Sequence, residues 1–336
     1  MKEAYLYTKL DGDRVRCFLC SHRCLIKDGA KGICGVRENR GGTLFSLVYG
    51  KIIARHVDPI EKKPLFHFLP GSRSYSIATV GCNFRCRFCQ NADISQMPAD
   101  RGSIWGEDMT PSMLVNEAKT GRASSIAYTY TEPTIYYEIA ADTARMAVTE
   151  GIRNVFVSNG YMTEECLKDI APDLHGANVD LKAFSNGFYK EQCGAKLEPV
   201  LQSIETMVET GVWLEVTTLL IPGLNDSDDE LNHIARFLAG VDPNIPWHIS
   251  RFHPTYRLTD VPSTSPEIIH HAKEIGLKAG LRYVYTGNLP GDDGEKTYCH
   301  GCGELLIDRF GFSVRDVRIK DNVCPRCNTE IPGVWK

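Results

Sequence analysis

The chain has 336 residues, with 43% hydrophobic and 24% charged residues, the proportions of an ordinary globular protein of one large domain with appendages or of two domains. A net charge of −4, from 38 Lys+Arg against 42 Asp+Glu, gives no field that would draw nucleic acid or an acidic membrane. The start Met-Lys-Glu-Ala-Tyr has no apolar h-region and no stretch approaches a membrane-spanning helix, so a cytoplasmic protein is expected.

Thirteen cysteines are many for such a chain, and eleven of them fall into three close groups. Clustered cysteines without a secretion signal bind metal or do chemistry more often than they crosslink. The first group is Cys17, Cys20, Cys24 and Cys34, in an N-terminal Cys-rich lobe over residues 1–73. Four thiols this close could close a tetrahedral zinc site, with His22 and His56 as substitute ligands; reduced buried cysteines are the alternative. Thr43–Val48 and Lys51–Val57 then read as a β-hairpin around Tyr49-Gly50. The proline-bearing stretch from Asp58 to Gly71 excludes a helix or a central strand and predicts an ordered loop. Its charges, Asp58, Glu61, Lys62 and Lys63, could face an active site, although a solvated surface is their commoner meaning.

Residues 74–290 alternate strand-like and helix-like patterns. Strands are expected at Tyr75–Val80, Ser125–Tyr130, Asn154–Ser158, Ala177–Leu181, Val212–Leu220 and Trp247–Phe252, with one more at Arg282–Thr286. Helices are expected at about 111–120, 133–150, 163–171, 197–210 and 227–239. Thr110-Pro111 is an N-cap followed by proline at the first helical position, and Asp226 or Ser227 caps the helix that carries Leu231, Ile234, Ala235 and Leu238. Six such βα units imply a parallel sheet with right-handed crossovers.

After the first of these strands comes Gly-Cys-Asn-Phe-Arg-Cys-Arg-Phe-Cys-Gln-Asn, residues 81–91. Cys82, Cys86 and Cys89 are soft ligands suited to an iron–sulfur cluster, yet a zinc site or a complete four-iron cluster needs four. A cubane held by three thiolates leaves one iron open. Sites in parallel barrels lie at the C-terminal ends of strands, which directs attention to Glu132, Ser158, Asn159, Asp180, Lys182 and His253. Each has a plainer reading: Glu132 as helix N-terminal charge, Ser158-Asn159-Gly160 as a turn, Asp180 and Lys182 as each other's partner, His253 as a structural histidine. Cys193 could donate hydrogen or anchor a substrate covalently, but a small packed thiol is its plainer role, and Cys166 on a helix reads as inert.

The C-terminal segment, 291–336, pairs Cys299-x2-Cys302 with Cys324-x2-Cys327 across a hairpin at Leu305–Ile307 and Phe312–Ile319. This is the zinc-ribbon pattern, with a second iron–sulfur centre as the alternative. Its metal would fold a segment too small for a core of its own. The apolar tail Ile331–Lys336 is expected to pack back onto the barrel.

The C-x3-C-x2-C spacing, with Phe88 before the last cysteine, resembles the radical S-adenosylmethionine (SAM) enzymes. The wider pattern, with the Cys-x2-Cys-x3-Cys opening, Pro-Ile-Glu-Lys-Lys-Pro-Leu-Phe-His-Phe, Tyr-Thr-Glu-Pro-Thr and the C-terminal ribbon, looks like the AmmeMemoRadiSam system radical SAM enzyme, a relation of pyruvate formate-lyase activating enzymes. The resemblance implies an α/β fold, a partial (β/α)6 radical SAM barrel between the Cys-rich lobe and the ribbon. It implies a [4Fe-4S] cluster on Cys82, Cys86 and Cys89, whose open iron chelates SAM, reductive cleavage of SAM, and hydrogen abstraction from an unidentified substrate.

Phe88, Asn91, Glu132, Ser158, Asn159, Asp180, Lys182, Leu219 and His253 become the candidate SAM contacts: Glu132 for the amino group, Lys182 for the carboxylate, Leu219 for the adenine pocket, His253 near the adenosine. Two departures stand out. Tyr130 and Thr131 occupy the place of two glycines, and Val157 that of the aspartate of the activating enzymes' monovalent-cation site. The expected partners are Memo-family and AMMECR-type proteins and a low-potential electron donor. A glycyl-radical-enzyme activase acting on a protein is one alternative function; a non-catalytic zinc-binding scaffold is another.

Overall fold

A computed structural model describes all residues, Met1–Lys336. Its centre is one eight-stranded sheet: β1 (Ala54–Pro59), β2 (Arg73–Ala78), β3 (Ser125–Tyr128), β4 (Arg153–Ser158), β5 (Gly176–Asp180), β6 (Trp213–Leu220), β7 (Trp247–Arg251) and β8 (Val284–Gly287). The strands lie in chain order, β2 to β8 all parallel, with β1 antiparallel on the β2 edge. The sheet stays open, its edges being β1 and β8. The parallel sheet is the one the six βα units imply, and its open, partial-barrel form is the one the resemblance to radical SAM enzymes implies.

Helices α1 (Pro111–Thr120), α2 (Tyr137–Thr149), α3 (Glu164–Ile170), α4 (Glu198–Glu209), α5 (Asp228–Val241) and α6 (Pro266–Lys278) fill the six crossovers. β3 is buried on both faces, which is why it reads as a continuous apolar run. The caps sit where the sequence puts them. Thr110 Oγ1 accepts from Met113 N at 3.3 Å, and Ser227 Oγ accepts from Glu230 N at 3.3 Å. Asp226 bonds Gly223 N instead. α6 escaped the pattern reading, although Ser265-Pro266 caps it and Ile269, Ala272 and Ile275 form its buried stripe.

The expected N-terminal hairpin does not form. Thr43–Ser46 pairs with Arg37–Arg40 and Lys2–Glu3, Lys51–Ile52 pairs with Glu107–Asp108, and Ala54–Pro59 becomes the sheet edge β1. Tyr49-Gly50 is thus a junction between two sheets, and Ile53 leads on into a third. The turn chemistry is local, and the pairing partners lie too far along the chain to show in it.

The stretch after β1 is an ordered loop, as its prolines predict. Ile60, Leu65 and Phe68 pack beneath Ala127 of β3 and Val155 of β4. Glu215 on β6 accepts Phe66 N at 2.9 Å and His67 N at 2.7 Å, and binds His248 Nε2 at 2.6 Å. The C-terminal ribbon completes this floor. Leu305–Phe310 and Ser313–Val317 form its hairpin, Arg309 donates to Phe66 O, and Trp335 lies 5.3 Å from the His67 ring. No helix is long and apolar enough to cross a membrane.

Candidate functional site

The Cys82–Cys89 loop leaves the C-terminal end of β2, where strand geometry opens a parallel sheet to ligands. Gly81 makes the turn: its φ is +104°, and a Cβ there would stand 2.8 Å from Val36 Cγ1. The loop is then tied from several sides. Arg85 N and Arg87 N donate to Cys193 O and Gln192 O at 2.8 and 2.9 Å. Gln96 Nε2 donates to Phe84 O at 3.0 Å, and His22 Nε2 lies 2.8 Å from Asn83 O. Asn159 Nδ2 donates to Asn83 Oδ1 at 2.7 Å.

All three thiols face one cavity of about 1570 Å³, counting the part open to solvent. Phe88, Asn91, Glu132, Ser158, Asn159, Asp180, Lys182 and Leu219 line it as well. Eight of the nine expected SAM contacts are therefore gathered round the cysteines. His253 is the exception. It lies beyond β7 on an exposed loop, with Nδ1 3.1 Å from Ser263 Oγ, and is not part of the cavity wall.

Glu132 joins the ends of β3 and β4. Its Oε1 accepts from Thr134 N at 3.1 Å and Ser158 Oγ at 2.8 Å, and its Oε2 accepts from Asn159 N at 2.8 Å. It is therefore the N-cap of the turn Pro133–Tyr136 as well as part of the wall. Burial pushes its carboxyl up, against these donors, which pull it down. Oε2 carries one donor in the chain and has a lone pair to spare for a cation.

The Asp180–Lys182 pair closes at 2.9 Å, with Lys182 Nζ 5.8 Å from the centre of the Phe88 ring. Burial works to lower the Lys182 ammonium, but Asp180 and the thiols of Cys86 and Cys193 outweigh it and hold it raised. Among the three thiols of the loop, burial pushes Cys82 and Cys89 up, while a hydrogen bond from Cys193 and the charge of Lys182 bring Cys86 down. Cys193 is thus a buried thiol packed against Cys86, as its plainer reading has it, and Cys166 is buried in the core.

The opposite wall came less clearly out of the sequence. Lys62 and Lys63 line the cavity, and Asp58 binds both, at 2.9 and 2.8 Å. Tyr130 OH donates to the same Asp58 at 2.5 Å, with Lys63 Nζ 4.5 Å from its ring centre. Glu61 turns away, to Gly71 N and Arg309. Tyr130 has φ +64°, the left-handed conformation in which a glycine would be unstrained. The backbone shape is thus kept without the glycine, and the phenol is used to hold Asp58.

At the other end of the chain, the Sγ atoms of Cys299, Cys302, Cys324 and Cys327 lie within 4.8 Å of one another and can hold a metal ion. Cys299 and Cys327 stand 3.6 Å apart, Cys302 and Cys324 3.7 Å.

Comparison with known proteins agrees with this geometry. The radical SAM superfamily profile matches residues 76–238. The chain is 45% identical over 334 residues to the uncharacterized protein MJ0808 of Methanocaldococcus jannaschii, covering 98% of this chain and 99% of that one. It is 27% identical over 212 residues to MJ1632 of the same organism, described as a candidate glycyl-radical enzyme activating enzyme, covering 62% of this chain and 78% of that one. Among solved structures, a radical SAM methyltransferase from Sphaerobacter thermophilus superposes with a TM-score of 0.51 at 17% identity, over 68% of this chain and 71% of that one. Streptococcus suis SuiB bound to S-adenosylmethionine gives 0.51 at 12% identity, over 68% and 52%. At such identities the solved structures speak to the fold alone.

Proposed function

We propose that this chain, whose residues 76–238 match the radical SAM superfamily, cleaves SAM reductively on a [4Fe-4S] cluster held by Cys82, Cys86 and Cys89, to abstract hydrogen from a substrate seated in the cavity above. The observation that carries this reading is the three-thiol loop at the mouth of a parallel sheet, with a carboxylate, a buried ammonium and amide and hydroxyl groups on the same wall. When bound, a three-thiolate cubane supplies an open iron to chelate SAM and the electron that breaks its sulfonium bond.

The donor set fits such a cluster. Its thiols are soft and one is already drawn toward the thiolate. The chain's own residues then do the positioning. Glu132 Oε2 offers its free lone pair to the SAM ammonium, a charge-assisted bond. Lys182 presents its charge to the SAM carboxylate while Asp180 holds it in place. Leu219 offers apolar surface to the adenine, and Ser158 and Asn159 keep the Glu132 carboxylate in its orientation. The C-terminal cysteine group suits zinc, since bonds of about 2.3 Å put the sulfurs of a tetrahedron roughly 3.8 Å apart, close to the 3.6 and 3.7 Å found.

A second reading is an activase that makes a glycyl radical on a protein. Similarity to MJ1632 favours it. The AmmeMemoRadiSam assignment, with Memo-family and AMMECR-type partners and a cytoplasmic setting, belongs to the same proposal and rests on the sequence pattern. Anaerobic reconstitution followed by a 5′-deoxyadenosine assay tests the radical reading. A chain carrying only zinc, with no SAM cleavage, would return it to the scaffold alternative.

A further inference from the structure

Cys17, Cys20, Cys24 and Cys34 line one small pocket of about 310 Å³, counting the part open to solvent, together with Gly32 and Arg37. Gly32 is its floor: a Cβ there would stand 3.8 Å from both the Cys24 and Cys34 sulfurs and 3.4 Å from Ile26 Cδ1. Arg37 is 1% exposed. Its Nη2 donates to Glu138 Oε1 at 2.9 Å and to Tyr5 O at 2.5 Å, but Nε and Nη1 are buried without a partner. A buried guanidinium with two unpartnered nitrogens is costly unless an anion belongs there. Four thiolates round a metal centre are such an anion, and their sulfurs accept N–H donors.

The grouping of the sulfurs favours a cubane over a single zinc ion. A single zinc ion would draw them together, as at the C-terminus, where all four lie within 4.8 Å. The N-terminal four are not gathered in that way, and neither are Cys82, Cys86 and Cys89. A cubane needs the wider set, because each sulfur sits outside its own iron corner.

We propose that the N-terminal lobe holds a second, fully protein-ligated [4Fe-4S] cluster on Cys17, Cys20, Cys24 and Cys34, beside the loop that carries Cys82. This replaces the zinc expected from the sequence. The pocket backs directly onto that loop: Cys34 O is 3.3 Å from where a Cβ on Gly81 would lie, and His22 reaches Asn83 O. With four thiolates it has no open iron for SAM, which leaves electron transfer as its chemistry. A low-potential one-electron carrier of the ferredoxin or flavodoxin class would reduce it by one electron. That electron then crosses the Gly81–Asn83 segment to the centre on Cys82, Cys86 and Cys89 with no bond made or broken. The cluster itself does not depend on the function proposed above; the relay does.

The test is the full-length Cys82→Ala/Cys86→Ala/Cys89→Ala variant, reconstituted anaerobically with iron and sulfide. It is expected to keep about four irons and four sulfides per chain, and an EPR signal on reduction that SAM does not alter. An iron-free variant with zinc in the lobe, or with no metal there, overturns the proposal. Should the variant fold poorly, the parent protein decides, with about eight irons per chain expected and about four overturning the site. For the relay, Cys20→Ser/Cys24→Ser is expected to keep the SAM-sensitive cluster and to show it bleached at least tenfold more slowly by reduced flavodoxin. An unchanged bleaching rate overturns the relay while leaving the cluster standing.

Discussion

Glu132 Oε2 accepts the backbone N–H of Asn159 at 2.8 Å, so one carboxylate fixes the ends of two neighbouring strands and still faces the cavity. Glu132→Gln keeps the shape but turns an amide N–H toward either Asn159 N or the Thr134 and Ser158 donors. A donor left unmet in a buried site costs about 1–3 kcal/mol. The account predicts that loss in chemical denaturation, together with SAM binding at least tenfold weaker by equilibrium dialysis of the reconstituted protein. Unchanged SAM affinity would remove Glu132 from the binding wall.

Asp58 answers to three donors, and the sign of its titration is definite. Burial works against its charge, but Lys63, Tyr130 and Lys62 hold the carboxyl well below the usual aspartate value. Its stabilising contribution is therefore complete above the ordinary value of 3.8 and is lost as pH falls through the depressed folded value. Asp58→Asn leaves Lys63 buried without its partner and should cost about 3 kcal/mol at pH 7. The stability curves of parent and variant should converge as pH falls below the aspartate range. A constant difference down to pH 2 would show that the pair acts through packing alone.

The C-terminal ribbon, whose four cysteines can hold a metal ion, reaches the barrel through Arg309. This side chain, 1% exposed, donates to Thr297 Oγ1 at 2.7 Å and lies 4.4 Å over the Phe66 ring. If the ribbon holds the proposed zinc, stripping it with a chelator should loosen the hairpin and lower the thermal midpoint by several degrees, since a small segment without its metal has little core of its own. Arg309→Ala should cost about 3 kcal/mol by leaving Glu61 and the Phe66 carbonyl unpaired. A midpoint that does not move once metal analysis shows the ribbon empty would uncouple the two.

The cysteine loop and the wall formed by Glu132, Ser158, Asn159, Asp180 and Lys182 were legible because each sits where a continuous apolar run ends, and in a parallel sheet those ends converge. Lys62 and Lys63 were not, since a run of charges beside prolines is the usual signature of a solvated loop. Only the folded course of that loop, beneath the barrel and back past its edge, brings them inside. His253 shows the opposite error, a strand-end histidine whose strand stops short of it. The misread hairpin at 43–57 has the same origin, because pairing of Lys51 with Asp108 across half a hundred residues leaves no local trace. The looser grouping of the N-terminal sulfurs, on which the proposed cubane rests, is likewise invisible in a count of cysteines.

The most direct measurement is 5′-deoxyadenosine release after anaerobic reconstitution with iron and sulfide, with SAM and dithionite added, from the parent protein and from Cys86→Ala. The account predicts nucleoside from the parent and none from the variant. No nucleoside from a parent protein shown to carry its iron, or equal amounts from both, would contradict it.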